Sequence, residues 1–174
     1  MNVGILALQG SFAEHGKVLD ALGVEYEFVR SLADLEDLTH LIIPGGESTT
    51  MEKLLREFGM WEAIQLRITN DEFRIFGTCA GAILCEKLGA QVSIARNGYG
   101  AQQASFTADL TSSQFHNLKG PFIRAPRIEK FEKGVTVLAS FQKEPVLVAD
   151  GNFLLATFHP ELVGETRIHA YFLR

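Results

Sequence analysis

The segment Phe73-Arg74-Ile75-Phe76-Gly77-Thr78-Cys79-Ala80-Gly81-Ala82-Ile83-Leu84 joins a short apolar run to a stretch of helical composition. Gly77 ends the apolar run, Cys79 follows two residues later, and Gly81 comes two residues after that. The pattern reads as strand, tight turn and helix, with Cys79 at the apex of a G-x-C-x-G nucleophile elbow. The glycines have a steric reason: the turn is sharp, and a Cβ on either flank would collide with the strand or helix being joined. A thiol at this place lies at the C-terminal end of a parallel strand, where open α/β sheets put their sites. It also lies at a helix N-terminus, whose dipole favours a thiolate. A lone cysteine is more often a buried structural residue. Cys79, in a turn between glycines, reads as a nucleophile instead, and Cys85, in mid-helix, reads as core.

Upstream, the chain alternates. Val3–Leu8 is a near-continuous apolar run, the mark of a buried parallel strand. Ser11 and Glu14 form an S-x-x-E capping box for a helix over Phe12–Leu22, closed by Gly23. Val24–Val29 is a second strand, and Leu41–Ile43 a third, ended by Pro44-Gly45-Gly46. Thr49 and Glu52 make a second capping box for a helix over Thr50–Phe58, and Met60–Thr69 is another helix. The order β-α-β-α-β-α-β-α implies a mostly parallel sheet with helices on both faces. Downstream, short strands are expected at Gln91–Ala95, Gln103–Thr107, Phe122–Arg124 and Val135–Ser140. Val146–Ala149 and Asn152–Thr157 flank Asp150-Gly151, a hairpin signal. A last helix covers Glu165–Leu173. No repeat or linker divides the chain, so residues 1–174 are expected to form a single domain.

Composition narrows the function. With a net charge of -5 and no basic block, neither nucleic acid nor an anionic membrane surface is an expected partner. Met1–Leu8 has no basic leader and is too short for a signal segment, and no apolar run reaches transmembrane length. Cys79 and Cys85 fall on different faces of a helix and are not expected to form a disulfide. A reduced, cytoplasmic enzyme-sized domain is the expectation. No His/Cys/Asp cluster has metal-ligand spacing, and no cofactor is expected.

A thiol nucleophile needs a base, and the base needs an orienting acceptor. Of the 5 histidines, His159 stands in His159-Pro160-Glu161. The residue before proline is pushed to extended geometry, so residues two apart project to one side. Glu161 can then accept from the imidazole. Taken alone this is a loop histidine beside a solvated glutamate; with the elbow present it is a base and its orienter. His15 and His40 read as surface or packing residues, and His169 has no partner in sequence. Acyl transfer also needs an oxyanion hole. The N–H of Ala80 supplies one donor, and the Pro44-Gly45-Gly46-Glu47-Ser48 loop is the expected source of the second. Arg96 and Arg124 are candidates for gripping a carboxylate, or plain surface charges. These residues alone describe a cysteine hydrolase of amides or esters.

The chain also resembles the class I glutamine amidotransferases, and within them the glutaminase subunits of pyridoxal 5'-phosphate synthase. The stretches that carry the likeness are Gly4–Gly10 with Glu14-His15, Ile43–Met51, Phe76–Gly81, Arg96-Asn97 with Tyr99-Gly100, Phe122–Pro126 and Phe158–Leu162. The resemblance implies a flavodoxin-like three-layer sandwich with a C-terminal β-hairpin region. It implies hydrolysis of L-glutamine to glutamate and ammonia, with Cys79 as nucleophile, His159 as base and acid, and Glu161 as its orienter. Gly46, Glu47, Ser48, Arg96, Ile123 and Arg124 would bind glutamine, with Gly46 and Ala80 as the oxyanion hole. Ammonia would pass to a barrel-shaped synthase subunit in a hetero-oligomer, with Gln9 at the activating interface. The loop N–H of Gly46 or Glu47 is then expected to point away from the site until that subunit docks. An ammonia-channelling partner of another kind, such as imidazole glycerol phosphate synthase, is the near alternative, and a cysteine peptidase-like hydrolase on a related fold the further one. The chain departs from the family in two places: Ala101 stands where a basic residue is usual, and the stretch between Cys85 and Arg96 is shorter.

Overall fold

The computed structural model describes residues 1–71, 73–99 and 105–174. The segment 100–104 lies outside the described residues, and with it Gly100, Ala101 and the start of the strand expected from Gln103. The first half contains β1 (Val3–Leu6), α1 (Phe12–Ala21), β2 (Tyr26–Val29), β3 (His40–Ile43), α2 (Ser48–Glu57), α3 (Met60–Thr69), β4 (Arg74–Thr78) and α4 (Ala80–Leu88). The second contains β5 (Val92–Ala95), β6 (Ser105–Leu110), β7 (Leu118–Ile123), β8 (Arg127–Phe131), β9 (Thr136–Phe141), β10 (Glu144–Asp150), β11 (Phe153–Ala156), a 3-10 turn at Pro160–Val163 and α5 (Thr166–Phe172).

The main sheet has 7 strands in the order β2-β1-β3-β4-β11-β10-β9. Its first five members pair in parallel, and β11, β10 and β9 pair antiparallel. This is the flavodoxin-like strand order, with its fifth position filled by the late strand β11. Two small ribbons, β5 with β8 and β6 with β7, flank the sheet.

Alternation along each strand splits the core in two, because successive side chains leave opposite faces. Leu41, Ile43, Ile75 and Leu155 join the helices α2, α3 and α4 on one face. Ile42, Phe76 and Leu154 join α1 and α5 on the other, with Phe158, Ile168 and Phe172. Both faces of the central strands are therefore covered, which explains why they read as unbroken apolar runs. Among the described residues, no helix is long and apolar enough to cross a membrane. Parallel pairing has a consequence for function. The loops that follow β1, β3, β4 and β11 all leave one edge of the sheet, side by side.

Three local expectations are corrected. Ser11 is the N-cap of α1, but its side chain makes no cap bond. Its hydroxyl donates instead to Glu161 Oε1 at 2.9 Å. Helix α2 is capped by Glu47, whose carboxylate accepts from the N–H groups of Thr49 and Thr50, so Thr49 and Glu52 form no capping box. Glu52 pairs with Arg56 and Lys87. The late hairpin turns at Gly151-Asn152, one residue later than expected, since Asp150 faces Phe153 across the strands. A second hairpin, between β9 and β10, turns at Gln142 and Lys143, both at positive φ (50° and 71°), and strand β8 was not foreseen.

Candidate active site

Strand β4 hands directly to α4 through Cys79, whose φ of 49° and ψ of -108° lie outside the ordinary regions for a residue with a Cβ. Such a conformation costs on the order of 1–3 kcal/mol and persists only where its surroundings enforce it. Here Cys79 N–H donates to Ala156 O of β11 at 2.8 Å. On the helix side there is no room to relax. A Cβ on Gly81 would lie 1.9 Å from Ile43 O, and one on Gly77 would lie 2.6 Å from the Gly81 carbonyl. The expected steric role of both glycines holds, with one refinement: Gly81 is pressed against the neighbouring strand β3 rather than its own. The strained turn puts Sγ at the sheet edge, largely buried in the wall of a cleft and 3.8 Å from Ile123 O. Ala80 follows as the first residue of α4, where helix N–H groups lack partners within the helix.

The loop after β11 brings His159 to the same place. Its N–H donates to Pro121 O at 2.8 Å. Its ring lies against Gly45, where a Cβ would fall 2.4 Å from His159 Cε1 and 3.3 Å from Cys79 Cβ. Only glycine at that position lets imidazole and thiol close on each other. His159 Nδ1–H donates to Glu161 Oε1 at 2.7 Å, an oxygen that also receives the Ser11 hydroxyl. His159 and Glu161 are both buried. Burial works against the charge on His159, but hydrogen bonds to Cys79 and Glu161 and the charges of both push it up to about 10. Burial alone would raise Glu161; His15 and His159 on either side, and the hydrogen bond from His159, bring it down to about 2. His15 itself is lowered, by burial first, so His159 carries the positive charge of this group.

His15 takes the packing role that the sequence reading allowed it, and His169, with no partner near it in sequence, finds one in space. Neither is at the surface: both are fully buried, and they face each other at 2.8 Å between Nδ1 of His15 and Nε2 of His169. His15 Nε2 meets Thr78 Oγ1 at 3.1 Å. Nothing local marks this cluster, since His15 and His169 are separated by 154 positions. His40 is half-buried, at the edge of the Phe172 ring.

The histidines set opposite pH limbs of stability. His159, raised from 6.5 to about 10, contributes fully below pH 6.5 and loses that contribution as pH climbs through about 10. His169, pushed from 6.5 to about 3 first by burial, contributes above pH 6.5 and loses it as pH falls. Glu161 adds to the acid limb as pH drops from 4.5 toward about 2. The urea midpoint is therefore expected to peak near pH 6.5. His159→Asn should flatten the alkaline limb and His169→Asn the acid one. A midpoint constant from about pH 5 to about pH 9 would contradict this balance.

A cleft of about 600 Å³ opens over Cys79. Gln9, Gly46, Glu47, Ser48, Ala80, Arg96, Ile123, Arg124 and His159 line it, so every residue named from sequence reaches it except Glu161, which stands behind His159. Ser11, Asn97, Pro126 and Leu162 line it too and were not foreseen. Ser11 was findable, because it shares with Gln9 the loop after β1. Arg96 Nη1 donates to Thr49 Oγ1 at 2.9 Å, and Arg124 sits at a φ of 44°. Glu47 N–H donates to Gln9 Oε1 at 2.8 Å, so that N–H is occupied by Gln9 rather than offered to the cleft. The Glu47 carboxylate, used as the cap of α2, is held down at about 2 by hydrogen bonds from Thr50 and Thr49. The two cysteines are free, and Cys85 is buried in the core, where burial pushes its thiol far up.

The likeness to known proteins spans the chain. Residues 5–174 match the SNO glutamine amidotransferase family. A Thermus thermophilus protein named pyridoxal 5'-phosphate synthase subunit PdxT is 45% identical over 182 residues, covering 98% of this chain and 95% of that one. The protein of the same name from Pelotomaculum thermopropionicum is 46% identical over 185 residues, with 99% and 94% covered. A crystal structure described as a glutamine amidotransferase superposes with a TM-score of 0.92 at 43% identity, over 98% of this chain and 96% of that one. The chain is a member of the SNO glutamine amidotransferase family.

Proposed function

We propose that this chain, acting as a single domain, hydrolyses L-glutamine to L-glutamate and ammonia and passes the ammonia to a synthase subunit that makes pyridoxal 5'-phosphate. The observation that carries this is the junction of Cys79 and His159 at one cleft, with Glu161 bonded behind His159, on a chain similar over nearly its full length to PdxT proteins. Sγ of Cys79, its proton passed to His159, attacks the side-chain amide carbon of glutamine. The oxyanion that forms is met by the N–H of Ala80 and by an N–H of the Gly46–Glu47 loop. His159, held as imidazolium, gives its Nδ1-supported proton from Nε2 to the departing nitrogen, and ammonia leaves a thioester on Cys79. His159, now neutral, takes a proton from water; the hydroxide oxygen attacks the thioester carbon, and Sγ leaves with glutamate released. Glu161 keeps the imidazole oriented and offsets its charge throughout. Gly46, Glu47, Ser48, Arg96, Ile123 and Arg124 surround the substrate, the arginines toward its carboxylate.

Gln9 ties this reaction to a partner. Its side chain holds Glu47 N–H, and a docking subunit that draws Gln9 away frees the loop to complete the oxyanion hole. The complex is a soluble cytoplasmic one. The test is ammonia release from glutamine with and without the synthase subunit. Activity is expected to rise by about a hundredfold or more on adding the partner, the effect of supplying one oxyanion donor. Equal activity in both would remove Gln9 and the loop from any activating role. No hydrolysis in either would remove the glutaminase assignment. Activation by a different ammonia-using synthase instead would replace the partner.

A further inference from the structure

Behind the site, His15 meets polar groups from three other elements. His169 on α5 lies 2.8 Å from its Nδ1. Thr78 Oγ1, at the end of β4, lies 3.1 Å from its Nε2, and Glu161 Oε2 lies 3.7 Å from the same nitrogen. His159 and, on its own helix, Glu14 are the other charged groups that act on it. The two oxygens of Glu161 are unequal. Oε1 receives both His159 Nδ1–H and the Ser11 hydroxyl, while Oε2 is buried and has no hydrogen-bond partner among the described residues. A buried acceptor in this state is costly, and His15 Nε2 is the polar atom that faces it.

Counting protons decides what His15 does there. Two neutral imidazoles carry one N–H proton each, and the short N···N contact between His15 and His169 takes one of them. The other can sit at either outer end of the pair. On His169 it would lie on Nδ1, 3.3 Å from the Glu165 carbonyl. On His15 it would lie on Nε2, toward Thr78 and Glu161. At 3.7 Å the approach of Nε2 to Oε2 is an electrostatic contact rather than a hydrogen bond, but an N–H beside a buried carboxylate is favoured over one 3.3 Å from a neutral carbonyl, so the proton belongs on His15 Nε2.

We propose that His15, backed by His169, is a positioning residue for Glu161: its Nε2–H, directed at Oε2, fixes the carboxylate so that Oε1 stays on His159 Nδ1. Because Nε2 also meets Thr78, the residue before Cys79, one ring ties the nucleophile's turn to the residue that orients the base. The kinetic consequence rests on the glutaminase reading; the proton's location does not.

Two experiments test this. In the native protein at neutral pH, two-bond ¹H–¹⁵N spectra of the imidazoles are expected to show His15 neutral and protonated on Nε2; a proton on Nδ1 would overturn the proposal. In the glutaminase complex, His15→Asn keeps a polar group near His169 but cannot reach Glu161, whereas His15→Gln places an amide N–H where Nε2 lies. His15→Asn is expected to lower kcat by about tenfold to a hundredfold, the scale of a small misplacement of a reacting group, with KM for glutamine within about twofold. His15→Gln should recover kcat to within about threefold of native. In His15→Asn the acid limb of the kcat profile should also move to higher pH, because removing a donor from the carboxylate favours its protonated form. Equal losses in the two variants, a loss in KM alone, or native kinetics in His15→Asn would each overturn the proposal. An inactive native complex would sink the glutaminase reading instead, and the spectra would still decide where the proton lies.

Discussion

Replacing Cys79 with alanine is expected to lower glutamine hydrolysis by the complex by about a thousandfold or more, the scale of losing a covalent nucleophile. The same variant should leave synthesis of pyridoxal 5'-phosphate from added ammonia unchanged, since Sγ is used only upstream of ammonia. The reason for so large an effect lies in the turn. Cys79 is held at a φ of 49° between backbone contacts from β11 and β3, so no neighbouring thiol or hydroxyl can move into its place. Cys85 is six positions along and fully buried. Alanine keeps the Cβ and hence the same backbone strain, so the variant should fold, losing only the part of the alkaline limb that Cys79 supports through His159. A Cys79→Ala complex that still hydrolyses glutamine at a tenth of the native rate would show that the reaction runs elsewhere.

Gly81→Ala is expected to damage the fold severely. The added methyl would sit 1.9 Å from Ile43 O and 2.8 Å from Ile43 C, both backbone atoms of β3. No rotamer change relieves such a clash; α4 or the end of β3 has to shift. Overpacking of this kind costs roughly 2–4 kcal/mol, about 5–15 °C in Tm for a domain of this size. Gly134→Ala is the control, because a Cβ there meets nothing within 4 Å. It should change stability by no more than about 0.5 kcal/mol. Calorimetry of the two variants side by side checks the claim, and equal midpoints would mean that α4 tolerates being lifted from β3. The same shift would move Ala80 and Cys79, so activity should fall even at temperatures where Gly81→Ala stays folded.

Much of this site could be read before any coordinates, and the part that could not shares one physical cause. Cys79, His159 and Glu161 are each marked locally, by glycines two residues either side of the thiol and by the His-Pro-Glu run, but Pro160 opens a 3-10 turn rather than the extended segment expected, and in that turn Glu161 meets His159. The parallel sheet was legible because β1, β3 and β4 are buried on both faces over most of their length and therefore mostly apolar. What the sequence concealed depends on contacts between distant positions. Ser11 looked like a helix cap because Glu14 follows it at the right spacing, yet its hydroxyl goes to Glu161, 150 positions away. Thr49 and Glu52 misled in the same way, since Glu47 had already taken the cap and Lys87 and Arg56 had taken Glu52. His15 and His169 have no local partner at all, and only the packing of α1 beside α5 on one face of the sheet brings them to each other and to Thr78 and Glu161. Strand β8 and the Gln142–Lys143 turn carry no glycine or asparagine to announce them.

In the proposed reaction the glutamyl carbon bonds to Cys79 Sγ as its bond to nitrogen breaks. The most direct measurement is mass spectrometry of the glutamine-fed complex, quenched in acid within the first turnover and digested to peptides. A glutamyl group attached through sulfur on the peptide that contains Cys79, and absent from the peptides of Cys79→Ala, is the predicted result. Rapid ammonia release with no glutamyl adduct at Cys79, or with the adduct on another residue, would contradict it.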